Sequence, residues 1–87
     1  MQTRMAARIL TLYTRDGCHL CEDMQAIVAP LARQYGYALE RVDIAGVSEL
    51  EARFGEEIPV LFIDGRKAFK FRVTERELRK QLARKER

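Results

Sequence analysis

An Asp-Gly pair in the second half of the chain is the feature that most constrains its fold. Asp64-Gly65 lies between the apolar run PVLFI, residues 59–63, and a second strand-like run at residues 67–71. Asp-Gly between two such runs is the strongest short-range signal for a β-hairpin with a two-residue turn. Pro59 stands at the first position of the apolar run, where a strand tolerates proline. The second half is therefore expected to contain an antiparallel pair of strands.

The first half shows a strand, a helix and a second strand. Residues 8–14, RILTLYT, are rich in aliphatic and β-forming side chains, and Asp16-Gly17 interrupts them. A second strand is expected over residues 37–44. Strands joined through a helix are parallel, with a right-handed crossover. Apolar residues at spacings of three and four predict the apolar face of this helix, and Gly36 predicts its end. The apolar residues are Leu20, Met24, Ile27, Val28 and Leu31.

Two further helices are predicted from capping-box spacing. Ser48 and Glu51 open a short helix that Gly55 closes, and Thr74 and Glu77 open the last helix. The element order is then β-α-β-α-β-β-α, which predicts an α/β protein with a four-stranded mixed sheet and helices on both faces. We interpret the aromatic residues as core or sheet packing rather than as a binding surface: Tyr13, Tyr37, Phe62, Phe69 and Phe71.

Length and composition are those of one small globular domain. The chain has 87 residues, of which 47% are hydrophobic, too many for a disordered protein. We expect a single domain over residues 1–87, with residues 1–7 disordered. No apolar run is long enough to cross a bilayer, and the N-terminus lacks the apolar core of a secretory signal. A cytoplasmic location without membrane association is therefore expected.

Charge is distributed unevenly. Residues 66–87 contain ten Lys or Arg and three Glu, whereas residues 1–65 contain six Arg and ten acidic residues. A basic segment can bind nucleic acid or an acidic partner, but this one carries no nucleic-acid-binding motif. We interpret it as the solvated face of the last helix and expect no nucleic acid partner. A non-enzymatic domain whose basic helix docks an acidic protein remains an alternative.

The only two cysteines, Cys18 and Cys21, form a Cys-x-x-Cys pair. A closed zinc site needs four ligands, and the chain adds a single histidine, His19, so no metal site is expected within one chain. A dimeric iron–sulfur or metal-binding module that uses Cys18 remains an alternative. A structural disulfide stabilises mainly by closing a long loop, and only two residues separate these cysteines.

The surroundings of the pair favour redox chemistry. Cys18 follows a strand and a glycine turn and opens a helix, where backbone N–H groups and the helix dipole stabilise a thiolate and lower the pKa of the thiol. Arg15 adds positive charge nearby and is a candidate substrate-binding residue. Cys21, one turn later, suits the resolving thiol of a redox-active disulfide. We interpret His19 as a surface residue and Asp16 as a turn residue.

Two segments carry a family resemblance. LYTRDGCHLCEDM, residues 12–24, resembles the active-site segment of the glutaredoxins, and EEIPVLFIDGR, residues 56–66, resembles the thioredoxin-fold hairpin that begins with a cis-proline. The resemblance covers nearly the whole chain and implies a thioredoxin fold. It implies a cis Ile58–Pro59 bond that faces the cysteines, and an Ile58 backbone that pairs with an extended substrate as an added strand.

Two positions depart from the glutaredoxin pattern. Leu20 stands where glutathione-binding members usually carry Tyr or Phe, and residues 70–77, KFRVTERE, lack their Gly-Gly and acidic pair. Thr74 and Glu75 are the residues left there to hold glutathione. The resemblance implies a thiol–disulfide oxidoreductase of cell redox homeostasis, which acts as a monomer on protein disulfides, with glutathione as co-substrate and no tightly bound cofactor. A thioredoxin-like reductase without a specific glutathione site is the alternative.

Overall fold

Residues 8–85, which the computed structural model describes, form a mixed sheet with helices on both faces. The expectation for residues 1–7 lies outside these residues. The elements follow the predicted order: β1 (Ile9–Thr14), α1 (His19–Tyr35), β2 (Ala38–Asp43), α2 (Ser48–Phe54), β3 (Val60–Ile63), β4 (Arg66–Lys70) and α3 (Glu75–Lys85).

The sheet has the strand order β2-β1-β3-β4. β1 is parallel to β2 and antiparallel to β3, and β3 is antiparallel to β4, which confirms the predicted mixed sheet. Asp64 and Gly65 form the β3–β4 turn, with φ of 50° and 83°. Asp64 also joins the hairpin to β1, because its carboxylate accepts the Ile9 N–H at 2.9 Å and its own N–H donates to the Ile9 carbonyl at 2.8 Å.

Side chains that alternate along β1 face two separate cores. Leu10 and Leu12 are fully buried in the larger core, which α1 and α3 cover. Tyr13 belongs to the other face, where its ring stacks on Phe54 of α2 with centroids 4.6 Å apart. Burial of a leucine side chain is worth about 1.5–3 kcal/mol, so the larger core stabilises β1 beside the cysteine loop. The predicted placement of helices on both faces is confirmed.

Helix α1 has a defined beginning and end. Cys18 is its N-cap, and Gly36 ends it in the left-handed conformation, with φ of 74°. The Tyr37 N–H then donates to the Ala32 carbonyl at 2.8 Å, which satisfies one of the last carbonyls of the helix. The buried face of α1 is close to the predicted one, and its buried residues are Cys21, Met24, Val28, Leu31 and Ala32.

No helix within residues 8–85 is long and apolar enough to cross a membrane.

The two predicted capping boxes have different outcomes. At α3, the Thr74 hydroxyl accepts the Glu77 N–H at 3.1 Å and the Glu77 carboxylate accepts the Thr74 N–H at 3.0 Å, as predicted. At α2, Val47 is the N-cap and makes no side-chain cap bond, so the prediction that Ser48 caps this helix is wrong. The Val47 N–H already bonds to the Ile44 carbonyl at 3.1 Å, and this turn starts the helix one residue earlier.

Phe71 is the second departure from the sequence prediction. β4 ends at Lys70, and Phe71 has a left-handed φ of 71° and is 41% exposed. Its interpretation as sheet packing is therefore wrong. The Phe71 N–H donates to the Pro59 carbonyl at 2.8 Å. The left-handed backbone then turns the chain away from the sheet, so the ring does not follow the alternation of β4.

Candidate active site

The Cys-x-x-Cys pair lies where β1 ends and α1 begins. Asp16 and Gly17 form the intervening turn, and Gly17 has a φ of 77°, which glycine adopts without steric cost. Cys18 has extended backbone, with φ of −100° and ψ of 111°. Its side chain is partly exposed, whereas Cys21 is 1% exposed. Cys18 therefore carries the sulfur that an external molecule can reach.

Cys18 and Cys21 are joined by a disulfide, with their Cα atoms 5.2 Å apart. The Cys21 backbone N–H donates to the Cys18 sulfur at 3.1 Å. The sulfur thus occupies the place that a Ser or Asp oxygen takes in an ordinary N-cap. In the reduced pair the same donor and the helix dipole stabilise negative charge on this sulfur.

The sheet brings a second loop to the end of the molecule where the cysteines lie. Val60, the first residue of β3, lies opposite Tyr13 near the end of β1. Because β1 and β3 are antiparallel, the residues before β3 and those after β1 are neighbours. Pro59 is buried there, and the Ile58–Pro59 peptide bond is cis. Ile58 is half-buried and packs against the smaller core on the α2 face, which consists of Ile44, Phe54 and Val60.

The backbone of Ile58 is not used inside the domain. Within residues 8–85, no hydrogen bond involves its N–H or its carbonyl. Pro59 has no N–H, and its carbonyl already accepts from Phe71. An extended peptide can pair with an unused N–H and carbonyl as an added strand. Ile58 therefore has the donor and the acceptor that its predicted substrate-binding role requires.

A cavity of about 220 Å³ lies between α1 and the loop that joins β4 to α3; we call it the α1–α3 groove. Leu20, which lies between the two cysteines in sequence, forms part of its wall, whereas the cysteines themselves are not among the lining residues. Most of the lining is apolar, and the polar residues sit among it: Leu20, Asp23, Met24, Ile27, Phe71, Arg72, Val73 and Thr74.

Arg15 makes its ion pair away from the cysteines. Its guanidinium lies 3.8 Å from the carboxylate of Glu51 on α2, and both side chains are partly exposed. Glu51 also accepts the Gly46 N–H at 3.1 Å. Any positive potential that Arg15 contributes at Cys18 is therefore reduced by this carboxylate, and its role in substrate binding stays a prediction.

Thr74 and Glu75, predicted to hold glutathione, are engaged by residues of their own helix. The Thr74 N–H and hydroxyl both bond to Glu77, and Glu75 pairs with Arg79 at 2.8 Å. Hydrogen bonding to Glu75 and to Tyr35 raises the pKa of Arg79. Thr74 lines the α1–α3 groove, whereas Glu75 is not part of the lining within the described residues.

The loop before Pro59 is also attached to β4. The Lys67 ammonium donates to the carboxylate of Glu57 at 2.6 Å. This hydrogen bond holds the pKa of Glu57 below its usual range.

His19 is exposed at the first position of α1. Among the residues that the structure describes, no three His, Cys, Asp or Glu side chains lie together so as to hold a metal ion.

Phe71 is the residue that sequence reasoning missed. The available signal was the absence of glycine from residues 70–77, although the chain must turn there between β4 and α3. A residue with a side chain then has to adopt the left-handed backbone, and that residue is Phe71. Its ring is thereby placed in the groove wall rather than in the sheet.

Comparison with known proteins agrees with this geometry. The family described as "Glutaredoxin-like domain (DUF836)" matches residues 9–83. An uncharacterised protein of Mycobacterium tuberculosis is 33% identical over 78 residues, which cover 84% of this chain and 80% of the relative.

Solved structures share the fold. Protein Ne2328 from Nitrosomonas europaea superposes with a TM-score of 0.72 at 28% identity, covering 93% of this chain and 98% of that one. Protein XcR50 from X. campestris has a TM-score of 0.67 at 38% identity, and the match covers 86% of this chain and 96% of that one. Thioredoxin from Fasciola hepatica, at 23% identity, has a TM-score of 0.62, and the match covers 90% of this chain and 80% of that one. The chain therefore belongs to the glutaredoxin-like domain family and has a thioredoxin fold.

Proposed function

We propose that this protein is a thiol–disulfide oxidoreductase that reduces protein disulfides, with Cys18 as the attacking thiol and Cys21 as the resolving thiol. The difference between the two sulfurs supports this assignment. Cys18 is partly exposed and its sulfur accepts a backbone N–H, whereas Cys21 is buried one helical turn away. An exposed, hydrogen-bonded sulfur at a helix N-terminus is favoured as a thiolate nucleophile.

The first step is attack by the Cys18 thiolate on one sulfur of a target disulfide. A new sulfur–sulfur bond forms between Cys18 and the target, and the target disulfide breaks. The second target sulfur leaves as a thiolate and takes a proton from water. The N-terminus of α1 favours this step, because it stabilises the charge on the sulfur before attack.

In the second step Cys21, deprotonated, attacks the Cys18 sulfur of the mixed disulfide. The Cys18–Cys21 disulfide forms, and the first target sulfur leaves as a thiolate that takes up the proton released by Cys21. The target has then gained two electrons and two protons, of which the electrons and one proton come from the protein and the other proton comes from water, because Cys18 starts as a thiolate. A further dithiol, or two monothiol molecules, must reduce the Cys18–Cys21 disulfide before the next cycle.

An extended substrate is supported beside the dithiol by Ile58. Pairing with its N–H and carbonyl would hold a target segment as an added strand at the end of the sheet. Glutathione is a second candidate substrate, because Thr74 at the head of α3 lines the groove beside Leu20. Glu75 and Glu77 place negative charge in the same turn, which disfavours the carboxylates of glutathione, so we put protein disulfides first.

We propose that the protein acts as a monomer in the cytoplasm, where reductants keep thiols available. It would need no tightly bound cofactor, nucleic acid or membrane. Arg15 would support the charge of the Cys18 thiolate to a limited extent, because it is paired with Glu51.

The test is reduction of insulin disulfides with dithiothreitol as the final reductant. The wild type should accelerate the reaction, and the Cys18→Ser and Cys21→Ser variants should both fall to the uncatalysed rate. Reduced Cys21→Ser, freed of dithiothreitol before it meets the target, should also accumulate a mixed disulfide that is visible as an adduct by mass spectrometry, whereas Cys18→Ser should not. An active Cys18→Ser variant would overturn the proposal.

A second assay separates the two substrate classes. Free glutathione can resolve a glutathione adduct on Cys18, so a working glutaredoxin keeps activity on a glutathione mixed disulfide when Cys21 is replaced by Ser. Activity of Cys21→Ser above the Cys18→Ser background supports glutathione as co-substrate. Equal background activity of both variants leaves the thioredoxin-like reductase. A visible absorbance of the protein as purified would instead point to a cluster held through Cys18.

A further inference from the structure

Phe71 combines three features that are rarely found together. It is 41% exposed, its backbone is left-handed with φ of 71°, and its N–H is bonded to the carbonyl of Pro59 at 2.8 Å. A bulky residue with positive φ is an outlier that persists only where the surrounding structure holds it. The hydrogen bond to Pro59 is part of what holds it, and the ring stays at the surface in the wall of the groove.

The groove that Phe71 helps to form has the size of one side chain. Its volume is about 220 Å³, below the range of about 300–1,000 Å³ that is usual for small-molecule sites. A single large apolar side chain fits in such a space. Leu20, Met24 and Ile27 form the wall across from the loop of Phe71, so the surface that a guest would meet is mainly apolar.

The lining of the groove carries one basic and one acidic side chain. The Lys70 ammonium lies 5.4 Å from the centre of the Phe71 ring, and Arg72 lines the groove. Within the described residues, neither cation forms an ion pair with a carboxylate. Asp23 is the acidic residue of the lining. The charges of the lining balance, so the lining selects for an apolar side chain rather than for a charge on the guest.

We propose that Phe71 determines substrate specificity by selecting an extended protein segment that carries a large apolar residue within two positions of its disulfide cysteine. The segment pairs with the backbone of Ile58, its cysteine meets Cys18, and its apolar side chain enters the α1–α3 groove against the Phe71 ring. This inference rests on the proposed function. It adds no covalent step, because the exchange itself is the one described for Cys18 and Cys21.

The test compares two peptides of equal net charge with one disulfide each, which carry either Leu or Ser on both sides of the cysteine. We expect a kcat/KM for the Leu peptide about tenfold above that for the Ser peptide, since one apolar contact typically discriminates by about 10–200-fold. In Phe71→Ala this ratio should fall towards one. Phe71→Gly, which tolerates the left-handed backbone, should lose the same preference, so that the effect is assigned to the ring and not to the backbone.

Val47→Ala is the matched control. Val47 is exposed to a similar degree, 43%, and lies before α2 rather than in the groove. Its substitution removes exposed apolar surface without touching the groove, and it should keep the tenfold ratio. A wild-type ratio near one, or a ratio in Phe71→Ala equal to that of wild type, overturns the inference and leaves the oxidoreductase assignment standing.

A binding measurement keeps the two proposals separate. Leu and Ser peptides whose cysteines are replaced by serine are titrated into the oxidised protein, and amide shifts are followed by NMR. The Leu peptide should shift the amides of Leu20, Ile27 and Phe71 and bind several-fold more weakly to Phe71→Ala. If it does so while neither disulfide peptide is reduced, the groove assignment stands and the proposed function fails. Absence of shifts at these residues overturns the groove assignment.

Discussion

Replacement of Thr74 by alanine should lower the stability of the domain by an amount that the cap geometry predicts. The Thr74 hydroxyl accepts the Glu77 N–H at 3.1 Å and donates to the Glu77 carboxylate at 3.0 Å, and alanine removes both bonds. Loss of a Thr N-cap typically costs about 0.5–2 kcal/mol. Because Thr74 and Glu77 are exposed, water replaces part of the lost bonding, and we expect about 1 kcal/mol.

Urea unfolding of the oxidised protein measures this free energy directly. For a domain of this size, 1 kcal/mol corresponds to a decrease in Tm of about 4–8 °C. Thr74→Ser is the matched control, because it keeps the hydroxyl and should stay close to wild type. The Thr74→Ala/Glu77→Ala double variant should lose less stability than the sum of the two single variants, since each removes the same shared bond.

A Thr74→Ala protein with the same free energy of unfolding as wild type would refute the capping assignment. It would leave Thr74 as a residue available for a substrate, as the resemblance to glutaredoxins implies. Additive single variants would show, in turn, that Thr74 and Glu77 act independently of each other.

Three other measurements probe the site and the sheet beneath it. Titration of the ultraviolet thiolate absorbance of reduced Cys21→Ser should give Cys18 a pKa below about 8.5, the value of a free thiol, because the backbone N–H of residue 21 still donates to its sulfur; a pKa at or above that value removes the nucleophile assignment. Lys67→Gln should lower the Tm near neutral pH. The difference in Tm between Lys67→Gln and wild type should become smaller as the pH falls through the lowered pKa of Glu57. A carboxyl with a depressed folded-state pKa stabilises the fold above its unfolded pKa and ceases to do so once it is protonated. Equal differences in Tm at neutral pH and at about pH 3 would contradict this. Leu12→Ala, at a position that is fully buried in the central strand, should cost about 2–5 kcal/mol in urea unfolding, and a loss below about 1 kcal/mol would contradict the packing described for β1.

The parts of the fold that could be predicted are those whose cause is local in sequence. Asp64-Gly65 specifies its hairpin because both residues adopt positive φ at low cost. Gly36 specifies the end of α1 for the same reason. The Thr74–Glu77 box contains both of its partners within one turn. In each case the residues that make the structure stand next to each other in the chain.

The incorrect predictions depend on a partner or a turn outside the motif. Ser48 has the spacing of a capping residue, but the bond from Val47 to Ile44 starts the helix before it. The ion pair of Arg15 with Glu51, which is far away in sequence, could not be predicted either, whereas the role of Arg15 beside Cys18 stays a prediction. Cys18 and Cys21 could be identified as the site because their spacing and their turn are local, whereas the groove beside them requires α1 and α3 to be packed together.

The bond from the Phe71 N–H to the Pro59 carbonyl joins the two halves of the site. Pro59 has no N–H and its carbonyl is used, whereas within residues 8–85 the N–H and the carbonyl of Ile58 make no hydrogen bond. The same bond holds Phe71 where the chain must turn, and the turn places the ring in the groove wall. A substrate strand paired with Ile58 therefore runs along a surface that Phe71 shapes. Residues that lie twelve apart in sequence thus fix both the backbone contact and the side-chain contact of one bound segment.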